Sequence, residues 1–462
     1  MDLVRRPMVQ TTRQGWENRM SRPSATIRCF CTLFLLMLMC PTWAVAQGVY
    51  APGLGPINRS MGSAAVAAPL DGIGAIAWNP ATLSGFKRSE LEMSVELLFA
   101  NIETSSSVAG IGGGATESDS GAMPLPNMGW VHVSPDSRLS IGFGVLSVAG
   151  FQTNFPASGS NPIFFPQRSG VMPIGGFGRV SSEAAFIDLA PTMAYAVTDQ
   201  LSVGVTFAAT MAQLNVEPLV FAGLNDANGD FASTYPTGQG SRYHWGCGAN
   251  FGVFYEHTPN WRFGASVKTP RWMEDFKYQT QDENGAPLSA RYSLDLPMVA
   301  SVGTSYTDGD RFLMAVDVRY IDYENADGFG DSGLNPNGSL RGLGWESVFA
   351  VATGIQYRLT DTLTGRVGYV YNQNPIPDAL TQLNVPAPLH YEHTLSCGFS
   401  YQPVPVVSFN VSYAYSLPSD ITGPITFPPN APTGSPAFPV PGSSVTSSLT
   451  AHALAFGITV AY

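Results

Sequence analysis

The sequence predicts an all-β protein, a transmembrane antiparallel β-barrel of about 14 strands with an N-terminal hatch inside its lumen. Three observations predict it. Stretches that alternate apolar and polar residues recur down the chain, the connections between them alternate short and long, and only 12% of the 462 residues are charged. A bundle of membrane helices would need runs of roughly 20 apolar residues, and Gly, Ser, Thr and Asn interrupt this chain too often for that. In a membrane barrel, lipid-facing residues alternate with polar ones and dilute the hydropathy signal.

In chain order, the only long apolar stretch runs from Cys29 to Trp43, behind Arg22 and Arg28 and ahead of Ala44-Val45-Ala46. It reads as a secretory signal over 1–46, too short to span and ending in a small-x-small cleavage site. A start at Met20 instead of Met1 would shorten its basic region. Met39 argues against a lipoprotein signal at Cys40.

Residues 47–87 are rich in Gly, Ala and Pro and carry almost no charge beyond Arg59, Asp71 and Lys87. Such a segment has too little apolar surface to build its own core, so it must lean on an enclosing structure. Within it, Asp71-Gly-Ile-Gly-Ala-Ile-Ala-Trp78 is followed by Asn79-Pro80, which breaks any regular element. A surface turn is the alternative reading of Asn79-Pro80.

The barrel is expected over 88–462. From Ser89 the period becomes two, with Leu91, Met93, Val95, Leu97 and Phe99 opposite Glu90, Glu92, Ser94 and Glu96. That pattern makes a strand with one apolar face. It returns at Leu139/Ile141/Phe143/Val145, Leu201/Val203/Val205/Phe207, Tyr243 to Tyr255, Phe312 to Tyr320, Leu363 to Tyr371 and Val407 to Tyr415. Strands are expected to begin near Ser89, Pro126, Arg138, Ala184, Leu201, Arg242, Trp261, Ala290, Asp310, Trp345, Thr362, Tyr391, Val406 and Thr446. Tight turns are expected at 134–138, 198–200, 257–260, 307–310, 360–361 and 402–405, with long loops between them. Strict alternation puts all tight turns on one side of a membrane and all long loops on the other. Tyr243, Trp261, Trp345 and Tyr357 are expected in interfacial girdles, and the chain ends in a closing strand, Ala453 to Tyr462.

A net charge of -11 without a basic cluster in the mature chain excludes nucleic acid as a partner. Cys247 and Cys397 fall on separate strands, with no disulfide framework and no metal spacing. Asn225-Asp-Ala-Asn-Gly-Asp230 lacks the downstream Glu of a calcium loop and reads as a turn. No nucleophile motif accompanies the scattered histidines. Neither enzyme activity, metal nor cofactor is expected.

With hatch, strands and turns placed, the chain resembles the FadL-type outer-membrane transporters of long-chain fatty acids and other hydrophobic compounds. The residues that carry the resemblance are Asp71 to Leu83 around Asn79-Pro80-Ala81, Asp188 to Tyr195 with Thr198 to Gly204, Leu296-Pro297, and Arg366 to Asp378. The resemblance implies a barrel plugged by the hatch and passive uptake through a gap in the wall. Long-chain fatty acids are the leading substrate; aromatic or aliphatic hydrocarbons are the alternative, and a lipid-processing barrel enzyme or a polar-solute porin would be rivals. Implied partners are the substrate, outer-membrane lipid and the barrel assembly machinery. Asn79, Pro80 and Ala81 are implied to form the hatch's core in the lumen.

By strand parity Asp317, Arg319 and Arg366 point inward, as do Glu92 and Glu96. Arg319 and Arg366 are therefore candidates to hold a carboxylate by paired hydrogen bonds, the alternative being that Asp317, Arg319 and Arg366 neutralise one another. The loop from Phe151 to Val180 carries Phe164-Phe165, Val171, Met172, Ile174 and Phe177, a candidate capture site or a cover folded over the mouth. Gly142 and Gly144, on the inward parity of the third strand, are candidates for a lateral exit; making room for the hatch is the alternative.

Overall fold

A computed structural model describes residues 48–167, 176–230, 233–238, 242–427 and 437–462. The expected signal 1–46, residue 47 and the loop residues Val171, Met172 and Ile174 lie outside the described residues. Fourteen antiparallel strands close into a barrel. They are β1 (Glu90–Val108), β2 (Ala122–Val133), β3 (Leu139–Phe155), β4 (Val180–Ala196), β5 (Leu201–Glu217), β6 (His244–Glu256) and β7 (Trp261–Lys268), followed by β8 (Met298–Thr307), β9 (Phe312–Asp322), β10 (Val348–Arg358), β11 (Leu363–Asn372), β12 (His393–Val404), β13 (Val407–Gly423) and β14 (Ser443–Ala461). Every strand pairs with its neighbour in sequence, and β1 closes the ring on β14 from Glu90↔Ala461 to Val108↔Ser443. The six expected tight turns all connect strands at one end, which we call the turn end; the long connections gather at the loop end.

Two sequence expectations need correction. The eighth strand begins at Met298, not near Ala290. Ala290 belongs to a hairpin, Phe276–Gln281 with Pro287–Tyr292, that covers the mouth. Its apolar parity packs on loop aromatics, with the Tyr292 ring 3.9 Å from that of Phe221, so it alternates as a wall strand does. Trp345 is buried against Tyr323 and donates to Asn384 (2.6 Å), so it is no girdle residue, whereas Tyr243 and Tyr357 are exposed.

The outer wall is a continuous apolar band that includes Met93, Phe99, Phe207, Phe251, Phe349, Val367, Phe399 and Phe456, all exposed. In water such a band would be a large unpartnered patch; facing lipid, it is the ordinary surface of a spanning barrel. Cys247 and Cys397 lie on it. The inner wall is layered. Toward the loop end large apolar residues are buried (Ile102, Phe186, Leu214, Leu449) beside small polar ones such as Thr153 and Ser447, and the buried carboxylates Glu92 and Glu96 lie toward the turn end with Thr206, Ser305, Ser400 and Asn410.

The hatch fills the lumen between these layers. Helix α1 (Pro56–Ser60) starts on a proline, whose fixed φ suits the first helical position. Helix α2 (Gly72–Trp78) is capped by Asp71, whose Oδ1 accepts from the Gly74 amide at 2.6 Å. All seven residues of α2 are buried, which explains its lack of a polar face. Asn79 ends it and caps a 3-10 turn over Pro80–Gly85.

The wall is not uniformly paired. The β2–β3 ladder stops at Asn127↔Leu146, although β2 stays paired with β1 up to Phe99↔Ala122 and β3 with β4 up to Phe155↔Val180. Two local features cause this. The Pro126 carbonyl faces β3, where it accepts from the Ser147 hydroxyl (2.7 Å); Pro124, two residues away, presents the same edge, so both donors missing from β2 are missing on that side. On β3 a bulge at Val148 inserts one residue opposite β4, between Ser147 and Ala149, and switches the inward parity from even to odd.

Candidate functional site

The lumen is organised around three ionic locks, of which Arg59–Glu96 joins hatch to wall directly and the other two lie within the wall and its loops. Arg59 of α1 donates from Nε to Glu96 of β1 (2.8 Å) and pairs again through Nη2. Arg319 of β9 donates from Nη1 to the Ser63 hydroxyl (2.8 Å) and from Nη2 to Asp317 (3.2 Å), and Asp317 accepts from the Ala65 amide (2.8 Å) and the Val66 amide (3.1 Å). Arg271 pairs with Asp188 at 3.1 Å, and the Arg271 side chain also holds Asn250 (2.8 Å). Trp78 is clamped between cations, with the Arg319 guanidinium 3.6 Å and the Lys268 ammonium 3.8 Å from its rings.

The sequence-derived residues take definite places. Asn79 donates to the carbonyls of Val66 (2.7 Å) and Val253 (3.0 Å), tying the hatch to β6. Pro80 and Ala81 lie against Gly252 and Gly204, where any side chain on the wall would collide with them. Arg319 is fully buried beneath the hatch. Arg366 donates to Gln356 (2.7 Å) and Ser400 (2.6 Å), so Asp317 and Arg319 pair with each other and Arg366 stands apart.

Phe164 is fully buried, stacked on Phe155 with centroids 4.9 Å apart, and Phe165 is half-buried. The described part of this loop therefore covers the mouth. Gly142 and Gly144 face the hatch, where a β-carbon would lie 3.0 Å from Leu83 and 3.1 Å from Ile76 respectively. Both glycines are paired on each side, with Val131 and Gly129 on β2 and Thr192 and Ala190 on β4. They admit the hatch; the unpaired stretch begins beyond them, at Ser147.

That stretch faces a cavity of about 820 Å³, partly open to solvent, lined by Tyr50, Leu98, Phe151, Leu389, Leu449 and Ala453 among others. Residues 49–51 seal its inner side. They take the β3 edge that β2 gives up, with Ala51 donating to the Val148 carbonyl (3.0 Å) and Gly150 to that of Val49 (3.3 Å). The Tyr391 hydroxyl holds the same strap by the carbonyls of Gly48 (3.0 Å) and Tyr50 (3.2 Å). A cavity of about 410 Å³ adjoins the first at Phe151, and one of about 550 Å³ adjoins that at Val220, Leu340 and Pro386, beneath the loops. The charged side chains among the described lining residues are Arg59, already paired with Glu96, and Glu217.

Sequence reasoning missed this gap, and two signals mark it: Pro124-x-Pro126 inside a strand, and the loss of alternation at Ser147-Val148-Ala149. Among the described residues, one carboxylate group has metal-like spacing, Asp226, Asp230 and Glu283 in the loops, and none of the three lines a cavity. His390 is buried, with its ring nitrogens 3.2 Å and 3.1 Å from the hydroxyls of Ser419 and Ser447; burial pushes the imidazole down to about 4, so it is a neutral strut.

The family model described as outer membrane protein transport protein (OMPP1/FadL/TodX) matches residues 37–462. Among solved structures, that of the P. putida toluene transporter TodX is similar at 16% identity and a TM-score of 0.64, covering 89% of this chain and 99% of that one. A Pseudomonas aeruginosa FadL homologue is similar at 14% identity and a TM-score of 0.66, with the same coverage. The Ralstonia pickettii toluene transporter TbuX is similar at 20% identity and a TM-score of 0.61, over 88% of this chain and 98% of that one. No curated protein matches the chain.

Proposed function

Because the chain belongs to the OMPP1/FadL/TodX family of outer membrane transport proteins, we propose that this outer-membrane barrel takes up uncharged hydrophobic small molecules at its loop end and releases them sideways between β2 and β3 into lipid. The charge along the path carries this reading. The three adjoining cavities offer apolar walls, one guanidinium already neutralised by Glu96, and the carboxylate of Glu217, which repels an anion. A neutral solute gains about 0.8 kcal/mol per buried CH₂ there. Below the first cavity the buried hatch and the carboxylates Glu92 and Glu96 occupy the lumen, so the apolar route leads through the unpaired wall. The strap at residues 49–51 is the part that must yield. The toluene transporters TodX and TbuX, similar in fold, are in keeping with a neutral solute.

Long-chain fatty acids are the second reading, favoured by the elongated run of cavities, which suits an alkyl tail. Their carboxylate would have to stay at the loop end or displace Glu96 from Arg59.

Uptake of labelled toluene and oleate by cells carrying this barrel as their only hydrophobic-solute transporter separates the two. Toluene entry should exceed that of barrel-free cells by a larger factor than oleate entry; the reverse order would favour the fatty-acid reading. Ala453→Trp, which fills part of the first cavity from the β14 side, should lower uptake about tenfold, the equivalent of 1.4 kcal/mol, with the heat-modifiable folded band retained. Parental uptake by a folded Ala453→Trp barrel would sink the sideways exit.

A further inference from the structure

The locks described above pair opposite charges, but the N-terminus of α2 meets the wall through like charges. Asp71 caps α2, and β1 presents Glu90 and Glu92 to it. Glu90 is satisfied, accepting from the Gly72 amide at 2.8 Å. Asp71 is 2% exposed and Glu92 fully buried. Asp71 Oδ2 and both carboxylate oxygens of Glu92 lack a partner at ordinary hydrogen-bond geometry; the Ile73 amide of α2 is the backbone donor that faces Glu92, and the Asp71 and Glu92 side chains are neighbours. Two buried ionised carboxylates in contact would repel each other and leave acceptors unmet, each at a cost of about 1–3 kcal/mol or more. A single proton between them removes both problems, because one carboxyl then donates to the other.

The remaining charges in reach do not supply a donor. Arg366 of β11 acts on Asp71 and Glu92 only through space, its hydrogen bonds going to Gln356 and Ser400. Arg88 acts on Glu90. Arg59 is taken by Glu96. The facing parts of β2, Gly129 and Val131, are uncharged, and α2 itself has no ionisable side chain. The carboxylate spacing that suits a metal ion occurs, among the described residues, at Asp226, Asp230 and Glu283, away from this group.

We propose that the hatch is fastened to the barrel wall by a proton shared between Asp71 and Glu92, so that acidity tightens the plug and alkalinity loosens it. Burial pushes the Asp71 carboxyl up to about 6 from its ordinary value near 3.8. A carboxyl that holds its proton more tightly when docked favours docking at low pH; the pair gives up its first proton near 6, and the fastening fades as the remaining, shared proton is lost at higher pH. The fastening is separate from the substrate path: it acts on the hatch, and its failure would leave the reading of the cavities and the gap untouched.

The test is the conductance of the full-length barrel in planar phosphatidylcholine bilayers in KCl between pH 4.5 and 8.5. The open probability of the parental protein should rise with pH, by up to about tenfold per pH unit, the linkage limit for release of one proton. In Glu92→Gln and in Asp71→Asn an amide N–H replaces the shared proton, and the Asn retains a capping oxygen for α2. Both variants should stay closed and give a flat pH profile. A flat parental profile, or a variant profile parallel to the parental one in a heat-modifiable barrel, would overturn the proposal. So would a parental profile that shifts when NaCl or MgCl₂ replaces KCl at constant pH, because a cation would then be the bridge. If one variant does not assemble, the other decides.

Discussion

Arg319 illustrates what an inward charge does in a filled lumen. Its guanidinium reaches Asp317, Ser63 and the face of Trp78, so three separate pieces of chain meet on one side chain. Arg319→Met should strand Asp317 in a dry site. Breaking a buried pair from one side costs about 3–5 kcal/mol, because the remaining charge is left uncompensated. The variant should therefore lose its folded band at a lower temperature in detergent and conduct more ions, and an unchanged melting point would mean the hatch is held elsewhere. Strand parity put Asp317, Arg319, Arg366, Glu92 and Glu96 inside the barrel. It did not reveal the partners that lie on the hatch, such as Arg59 for Glu96 and Ser63 for Arg319, because the hatch has no period to read: nothing in the spacing of Arg59 and Glu96 says that they meet.

At the scale of the strand, period two is a strong signal wherever one face meets hydrocarbon. Cys247 and Cys397 both fall on the outward parity, between Trp245 and Ala249 and between Leu395 and Phe399. In intact outer membranes both thiols should resist a charged maleimide and react with a membrane-permeant one. Rapid labelling by the charged reagent would place them in water. Parity fails where a strand leaves the regular ladder. Gly142 and Gly144 drew notice as missing side chains, yet they serve the approach of Leu83 and Ile76. The opening lies where Pro124 and Pro126 withhold donors and Val148 interrupts the register, and both signals stand in the sequence without a fold to give them meaning. The hairpin from Phe276 to Tyr292 misled in the opposite sense, since its apolar side faces the mouth cover and alternates as a lipid-facing strand would.

For the whole molecule, closure and plugging are separate properties, and removing the hatch tests the division. Deletion of residues 47–85 should leave a heat-modifiable barrel whose conductance in planar bilayers is well above that of the full chain; equal conductance would deny the plug its role. The ring itself has one seam unlike the others. Every other ladder joins strands that are neighbours in the chain, while the longest unbroken one joins the first strand to the last, Glu90↔Ala461 through Val108↔Ser443. At the turn end the seam is pinned by the final residue, whose hydroxyl accepts from the Trp130 indole on β2 at 2.6 Å, reaching over β1. Contacts of such sequence separation carry the largest loop-closure entropy and form late. Until they form, the growing sheet carries two long open edges, each a template for another chain. The final strand is the one that ends both exposures at once, so truncation there leaves a sticky ribbon where a shortened barrel would otherwise be expected.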